Sequence, residues 1–299
     1  MSGLLQKETR PDAASLERGF APAKINLTLH VTGQRGDGYH LLDSLVVFAG
    51  LGDLITAAAA DTLTLSVTGP FAQGVPVDDS NLVLRAARTL QKARGVNLGA
   101  ALRLTKALPH AAGIGGGSSD AGATLRLLAD LWQVDPLTAD DPAVLALGSD
   151  VPVCVTAPRP MRMAGIGDHL ATLPVLPFAG LVLVNPRVEV PTADVFKALT
   201  RRENLPMDPL PRDLSYDAFV GWLLEQRNDL QTAAIGIAPQ IGEALACLRR
   251  TKGVSAAVMS GSGATCIGLV RDMGTARAVA KSVQVAHMGW WVAPAPLLG

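Results

Sequence analysis

Residues 109–121 constrain this chain most: Pro109-His110-Ala111-Ala112-Gly113-Ile114-Gly115-Gly116-Gly117-Ser118-Ser119-Asp120-Ala121. Four glycines and two serines stand just before a run in which Leu125, Leu128, Leu131 and Trp132 recur at three- and four-residue steps, the period of a helix. Glycine takes positive φ and approaches a ligand without a Cβ, and the first N–H groups of a helix have no internal partner and carry the positive end of its dipole. A glycine turn that opens a helix therefore fits a polyphosphate. It is not a P-loop, because Ser118-Ser119 rather than Lys-Ser or Lys-Thr follows Gly117, and it fails the dinucleotide fingerprint at the third glycine, where Ser118 stands. The bland alternative is a Gly/Ser linker; an apolar run at 101–108 on one side and the helix on the other argue against it.

A chain of 299 residues is long for one core, so two domains are expected. Residues 20–31 alternate apolar and polar, the period of a half-buried strand, which puts Lys24, Asn26, Thr28 and His30 on one face. The turn 33–38 then leads through Tyr39-His40 into a second strand ending at Phe48, with separate strands expected at 53–60 and 62–68. Asp79-Ser80-Asn81 supplies the cap of a helix over 82–94, and a strand at 101–105 delivers the glycine turn. A short helix at 142–147 ends at Gly148, and Asp150 stands at the mouth of an expected strand over 151–155. The proline-rich stretch 158–177 carries the expected boundary between a nucleotide-binding α+β domain, 1–173, and a second domain, 174–299. From residue 239 onward the order is helix, strand 254–259, the loop Ser260-Gly261-Ser262-Gly263, strand 264–270, helix 275–285 and strand 290–292, which reads as a ferredoxin-like split βαβ layer.

Zero formal net charge and the lack of a basic cluster interleaved with aromatics speak against a nucleic-acid partner. No apolar run approaches the roughly 18 residues of a membrane span, and Cys154, Cys247 and Cys266 have no metal-ligand spacing. A cytoplasmic protein with a loose N-terminal tail is expected, as a monomer or weak homodimer.

Phosphoryl transfer needs a phosphate cradle, a cation to offset charge and a group to handle the acceptor's proton. The cradle candidate is 109–119, with Ser118 or Ser119 either a Mg²⁺ ligand or a plain helix cap. Asp150 is either a base or a turn aspartate, and Lys24 either faces solvent or meets Asp150; spacing admits both. Tyr39, His40 and Phe196 are candidates to hold an aromatic base, and 260–263 is a second phosphate nest or an ordinary hairpin.

Three motifs occur in order: Pro22-Ala23-Lys24-Ile25-Asn26-Leu27, residues 109–121, and Gly261-Ser262-Gly263-Ala264-Thr265. With them the chain resembles the superfamily of galactokinase, homoserine kinase, mevalonate kinase and phosphomevalonate kinase over about residues 20–293. Gly33-Gln34-Arg35-Gly36-Asp37-Gly38-Tyr39-His40, Asn81-Leu82-Val83-Leu84-Arg85-Ala86-Ala87 and Gly148-Ser149-Asp150-Val151-Pro152 are similar to one branch of it. The resemblance implies a two-domain kinase fold, ATP with Mg²⁺, and a small-molecule acceptor that is a cytidine diphosphate sugar alcohol. It implies Lys24 and Asp150 as catalytic residues and Pro109, His110, Ala111, Ala112, Gly113, Ile114, Gly115, Gly116, Gly117, Ser118 and Ser119 as the ATP-binding segment. It further implies Asn26 and His40 as substrate contacts, Tyr39 and Phe196 as flanks of the cytosine, and Thr192 near the diphosphate. The sequence departs from the pattern at Ala111 and Ala112, where some relatives have glycine, and at Gly122, where alanine is common and glycine loosens the helix by roughly 1 kcal/mol. His110 stands where an apolar residue is expected, and residues 201–213 match nothing.

Overall fold

The computed structural model describes residues 18–110 and 112–299, so the expected tail at 1–17 and the candidate Ala111 lie outside it. The chain folds around one strand, β3 (His40–Ala60), which is 21 residues long. Along it run β1 (Phe20–Asn26), β2 (His30–Gln34), β5 (Gly99–Thr105) and β6 (Met161–Gly165), with β4 (Leu63–Thr68) beside β5 and β7 (His169–Thr172) beside β6. Two separate strands were expected where β3 is continuous. Gly50 and Gly52 are not terminators: a Cβ at Gly52 would stand 2.2 Å from Ala21 O and one at Gly50 2.6 Å from the Pro296 ring, so they let neighbouring chain segments come close.

The expected single strand over 20–31 is instead β1 and β2, separated by residues 27–29. Nor is it half-buried. Lys24, Asn26, Thr28 and His30 are each at most 4% exposed, because each is met by other parts of the chain: Lys24 by Asp150, Asn26 by Ser44, Thr28 by Met207 and His30 by the Leu205 carbonyl. Helix α1 (Leu82–Arg94) has the expected bounds, with the Asn81 side chain accepting from Val83 N–H. The glycine turn opens α2 (Gly116–Leu131), whose apolar face shares a core with α1, β5 and the short α3 (Pro142–Leu145).

Residues 151–155 are not a strand but a helical turn, α4 (Val151–Val155), with Asp150 at its N-cap. Valine-rich composition favoured extended backbone, but Pro152 suits the first turn of a helix, and close contact with α2 decides the outcome. The expected boundary stretch, 158–177, contributes β6 and β7 to the first sheet.

The second half is built on β8 (Gly180–Asn185), β9 (Val254–Met259), β10 (Cys266–Val270) and β11 (Trp291–Leu298), all antiparallel in the order β11-β8-β10-β9. With α8 (Gln240–Arg250) and α9 (Met273–Ala286) as crossovers, this is the ferredoxin-like layer. Three further helices, α5 (Thr192–Lys197), α6 (Tyr216–Glu225) and α7 (Gln231–Ile237), lie between β8 and α8. Strand β8 is buried on both sides: Val182 and Val184 belong to a core with α7, α8 and α9, Leu181 and Leu183 to one shared with β1 and α6.

Strand β11 runs six residues past the expected Val292 end, through two prolines, to Leu298. Leu297 N–H donates to Ala179 O at 3.0 Å, so odd-numbered amides face β8 and Pro294 and Pro296 occupy the alternate positions, where no donor is required. Its last two residues pair with Ala49 and Phe48 of β3, which joins both halves in one sheet.

Candidate active site

Local chemistry shapes the phosphate turn first. Gly113 and Gly115 have φ of +71° and +59°, which disfavour any side chain. A Cβ on Gly115 would also press within 2.9 Å of the Lys24 Cε, and one on Gly113 would collide with the carbonyls of Ser260 and Gly263. The turn is thus clamped between β1 and the 260–263 loop. Lys24 N–H donates to Ile114 O at 2.9 Å, Thr265 N–H to Ala112 O at 3.2 Å, and Ser260 Oγ to Gly113 O at 2.8 Å. Residues 260–263 are therefore a brace for the turn. Asn228 Nδ2 supports the brace in its turn, donating to the carbonyls of Met259 and Gly261, both at 2.8 Å.

The two serines divide. Ser119 is buried and its hydroxyl donates to Pro22 O at 2.6 Å, so it ties α2 to β1. Ser118 lines the cleft. Gly116 and Gly117 stand in the first turn of α2, where amides lack intrahelical acceptors.

Lys24 and Asp150 meet. The Lys24 ammonium lies 2.8 Å from Asp150 Oδ2 and donates to Asn26 Oδ1 at 2.9 Å; the lysine side chain is 5% exposed and that of Asp150 33%. A buried cation thus holds a carboxylate that opens on the cleft. Helix α4 sets that carboxylate from its N-cap, and α2 sets α4: Arg126 Nη1 donates to Cys154 O at 2.8 Å. The Cys154 thiol behind the pair is pushed up to about 12, by burial first and then by the Asp150 charge, which makes it an inert packing group.

One cleft of about 1180 Å³ joins these groups. It is lined by Lys24, Asn26, Asp150, Pro109, His110, Ala112, Gly113, Gly115, Gly116, Gly117 and Ser118, and by Tyr39, His40, Thr192 and Phe196. Ile114 and Ser119, buried behind the turn, do not line it. His110 is exposed at its rim. The His40 and Phe196 rings stack at 4.7 Å between centroids, so Phe196 meets His40 rather than Tyr39, which is 60% exposed. Thr192 Oγ1 is 2.8 Å from Ser262 Oγ. Burial, and then the Arg202 charge, lower the His40 pKa, which keeps the imidazole neutral, and its buried Nε2 has no protein partner.

Beneath the N-terminus of α2 lies a cluster that the sequence reading passed over. The Lys106 ammonium is paired with Asp53 and, at 2.9 Å, with Asp120 Oδ2; all three are at most 4% exposed. Asp53 Oδ1 also accepts the Ala107 and Leu108 amides at 2.6 and 2.9 Å, which fixes the chain entering the glycine turn. Burial pushes the Asp120 carboxyl up to about 7 against the pull of Lys106. A single charge at the end of an apolar run, Asp53 after residues 45–51 or Lys106 after β5, was the available signal. Residues 201–213 also find a place. They form a strap held where Met207 N–H donates to Asp43 Oδ2 at 2.8 Å and Arg162 pairs with the same carboxylate at 2.6 Å.

Comparison with known proteins bears on this cleft. The model for the GHMP kinases N terminal domain matches residues 81–157, and that for the GHMP kinases C terminal matches residues 220–287. The chain is 56% identical over 286 residues to the 4-diphosphocytidyl-2-C-methyl-D-erythritol kinase of Cereibacter sphaeroides, covering 95% of this chain and 100% of that one. The enzyme of the same name from Ruegeria pomeroyi is 56% identical over 277 residues, covering 92% and 96%. The chain belongs to the 4-diphosphocytidyl-2-C-methyl-D-erythritol kinases. A crystal structure of 4-(cytidine 5'-diphospho)-2C-methyl-D-erythritol kinase superposes with a TM-score of 0.76 at 31% identity, over 94% of this chain and 98% of that one. Homoserine kinase from Cytophaga hutchinsonii, at 16% identity and a TM-score of 0.65 over 93% of each chain, shares the fold. As a 4-diphosphocytidyl-2-C-methyl-D-erythritol kinase the chain is an ATP-dependent small-molecule kinase with the two-domain α+β fold, as the motifs led one to expect.

Proposed function

We propose that this chain transfers the γ-phosphoryl group of ATP to the 2-hydroxyl of 4-diphosphocytidyl-2-C-methyl-D-erythritol, giving the 2-phosphate and ADP. The observation that carries the reading is the Lys24–Asp150 pair, 2.8 Å apart, in one cleft with the glycine turn and the Tyr39, His40 and Phe196 end. Asp150 Oδ2 accepts the proton of the acceptor hydroxyl, and Lys24 orients that carboxylate and the nucleophile together. Amides of residues 113–119 cradle the triphosphate, a preorganised site for the charge that moves during transfer. Asn26 and His40 contact the substrate, Tyr39 folds over a cytosine that rests on the Phe196 shelf, and Thr192 adjoins the diphosphate.

Among the described residues no group of three or more His, Cys, Asp or Glu side chains is arranged to hold a metal. The Ser118 hydroxyl in the cleft suits Mg²⁺, which binds largely through nucleotide phosphates and waters with few protein ligands. When bound, Mg²⁺ would neutralise phosphate charge. The same reading divides the chain into an ATP-binding domain, 1–173, and a substrate-binding domain, 174–299, a division supported by β7 ending at Thr172 and β8 beginning at Gly180. It expects a cytoplasmic monomer or weak homodimer without nucleic-acid or membrane partners; among the described residues no helix is long and apolar enough to cross a membrane. The experiment is to incubate the protein with ATP, Mg²⁺ and the cytidylylated methylerythritol. ADP and a product heavier by one phosphate are expected; turnover of mevalonate or its phosphates, with the cytidylyl compound inert, would overturn the reading.

A further inference from the structure

Asn26 presents an amide whose two ends are nearly the same shape and opposite in chemistry, and what holds it the right way round lies outside the cleft. Ser44, on β3 and wholly buried, stands between Asn26 and Thr28. Its Oγ lies 2.5 Å from the Thr28 carbonyl oxygen and 2.7 Å from Asn26 Nδ2. A carbonyl only accepts, so the one hydroxyl hydrogen of Ser44 is committed to Thr28 and its oxygen is left as an acceptor. Only the NH₂ end of Asn26 satisfies that acceptor, which turns Oδ1 toward the Lys24 ammonium at 2.9 Å. The reversed amide would put two acceptors 2.7 Å apart at Ser44 and an N–H donor against a cation at Lys24.

We infer that Ser44 is a positioning residue for phosphoryl transfer, setting the polarity of the Thr28–Ser44–Asn26–Lys24–Asp150 chain of hydrogen bonds so that Lys24 is held as a donor to Asp150. The inference rests on the proposed role of Lys24 and extends it to a residue that touches neither nucleotide nor acceptor. The Lys24 ammonium pairs with Asp150, at the N-cap of α4, and its charge also reaches the Cys154 thiol of that helix. Neither replaces the acceptor that Asn26 supplies from β1.

The test is a double-mutant cycle. In the wild-type background Ser44→Ala should lower kcat by about tenfold, the scale of one lost buried hydrogen bond, with the KM for ATP unchanged. In the Asn26→Ala background the same change should do nothing further, because no amide remains to orient. Ser44→Thr, which keeps the hydroxyl, should restore kcat. Ser44→Cys, close in volume and a weak acceptor, takes the place of the alanine variant should that one fail to fold. Additive effects in the cycle, or a Ser44→Thr variant as slow as Ser44→Ala, would mean that Ser44 merely packs, and would overturn the inference. Lys24→Met is run alongside: if it is inactive while Ser44→Ala is silent, the role of Lys24 stands and that of Ser44 falls; if it turns over normally, both fall.

Discussion

At the scale of single residues, the site depends on charges placed where water does not reach. The Lys24 ammonium, on a side chain that is 5% exposed, is faced by both Asp150 and Asn26. Removing either charge leaves the other partly buried and unanswered, so Asp150→Asn should cut turnover by roughly a hundredfold or more while ATP still binds, read from steady-state kinetics beside calorimetric titration with nucleotide. His30 shows the same economy of water in a purely structural role. Its ring sits between the Leu205 carbonyl and the Arg227 amide, and burial, then the Arg227 charge, lower its pKa below the ordinary 6.5. The unfolded chain takes up a proton near pH 6.5 that the folded chain refuses, so the stability His30 contributes is complete above that value and is lost as the pH falls. His30→Gln should therefore flatten the pH dependence of stability between about pH 7.5 and about pH 5.5, measured by urea denaturation at both.

At the scale of elements, α2 and α4 matter more for their separation than for their lengths. By helix propensity alone Gly122→Ala should stabilise α2 by about 1 kcal/mol. The structure reverses the sign: a Cβ there would stand 2.8 Å from the Cys154 carbonyl group, on backbone that has no flexible end to give way. The variant should lose about 1–3 kcal/mol in urea denaturation. It should also lose kcat, because the push falls on the turn that carries Asp150. Neither effect would be seen if α4 were free to slide. The departure from the family pattern at Gly122 is thus a packing requirement of this chain.

At the scale of the whole molecule, the cleft holds its form because one sheet runs through both halves. Strand β11 pairs with β8 for six residues and with β3 for two, and Leu297, wholly buried, stands at the crossing among side chains of both halves. Leu297→Ala should cost about 2–5 kcal/mol and lower both halves together in one thermal transition. Two well-separated transitions would show that the halves are independent.

What the residues declared unaided was local and chemical. The glycine turn at the head of α2, the cap at residues 79–81, the ferredoxin-like order of the last sixty residues and the candidate pair Lys24 and Asp150 all follow from spacing, capping and backbone freedom, which act between near neighbours in the chain. Whether Lys24 faced solvent or Asp150 did not follow. That was decided by β1 passing behind the glycine turn, which buries Lys24 and Asn26, while Thr28 and His30 are covered by the strap at Met207 and Leu205. The same holds for α4, taken for a strand until α2 lay against it, for the Lys106, Asp53 and Asp120 cluster, and for Ser44. Each depends on groups 14 to 55 positions away or on helices meeting, and no local preference encodes a contact that loop closure has yet to make.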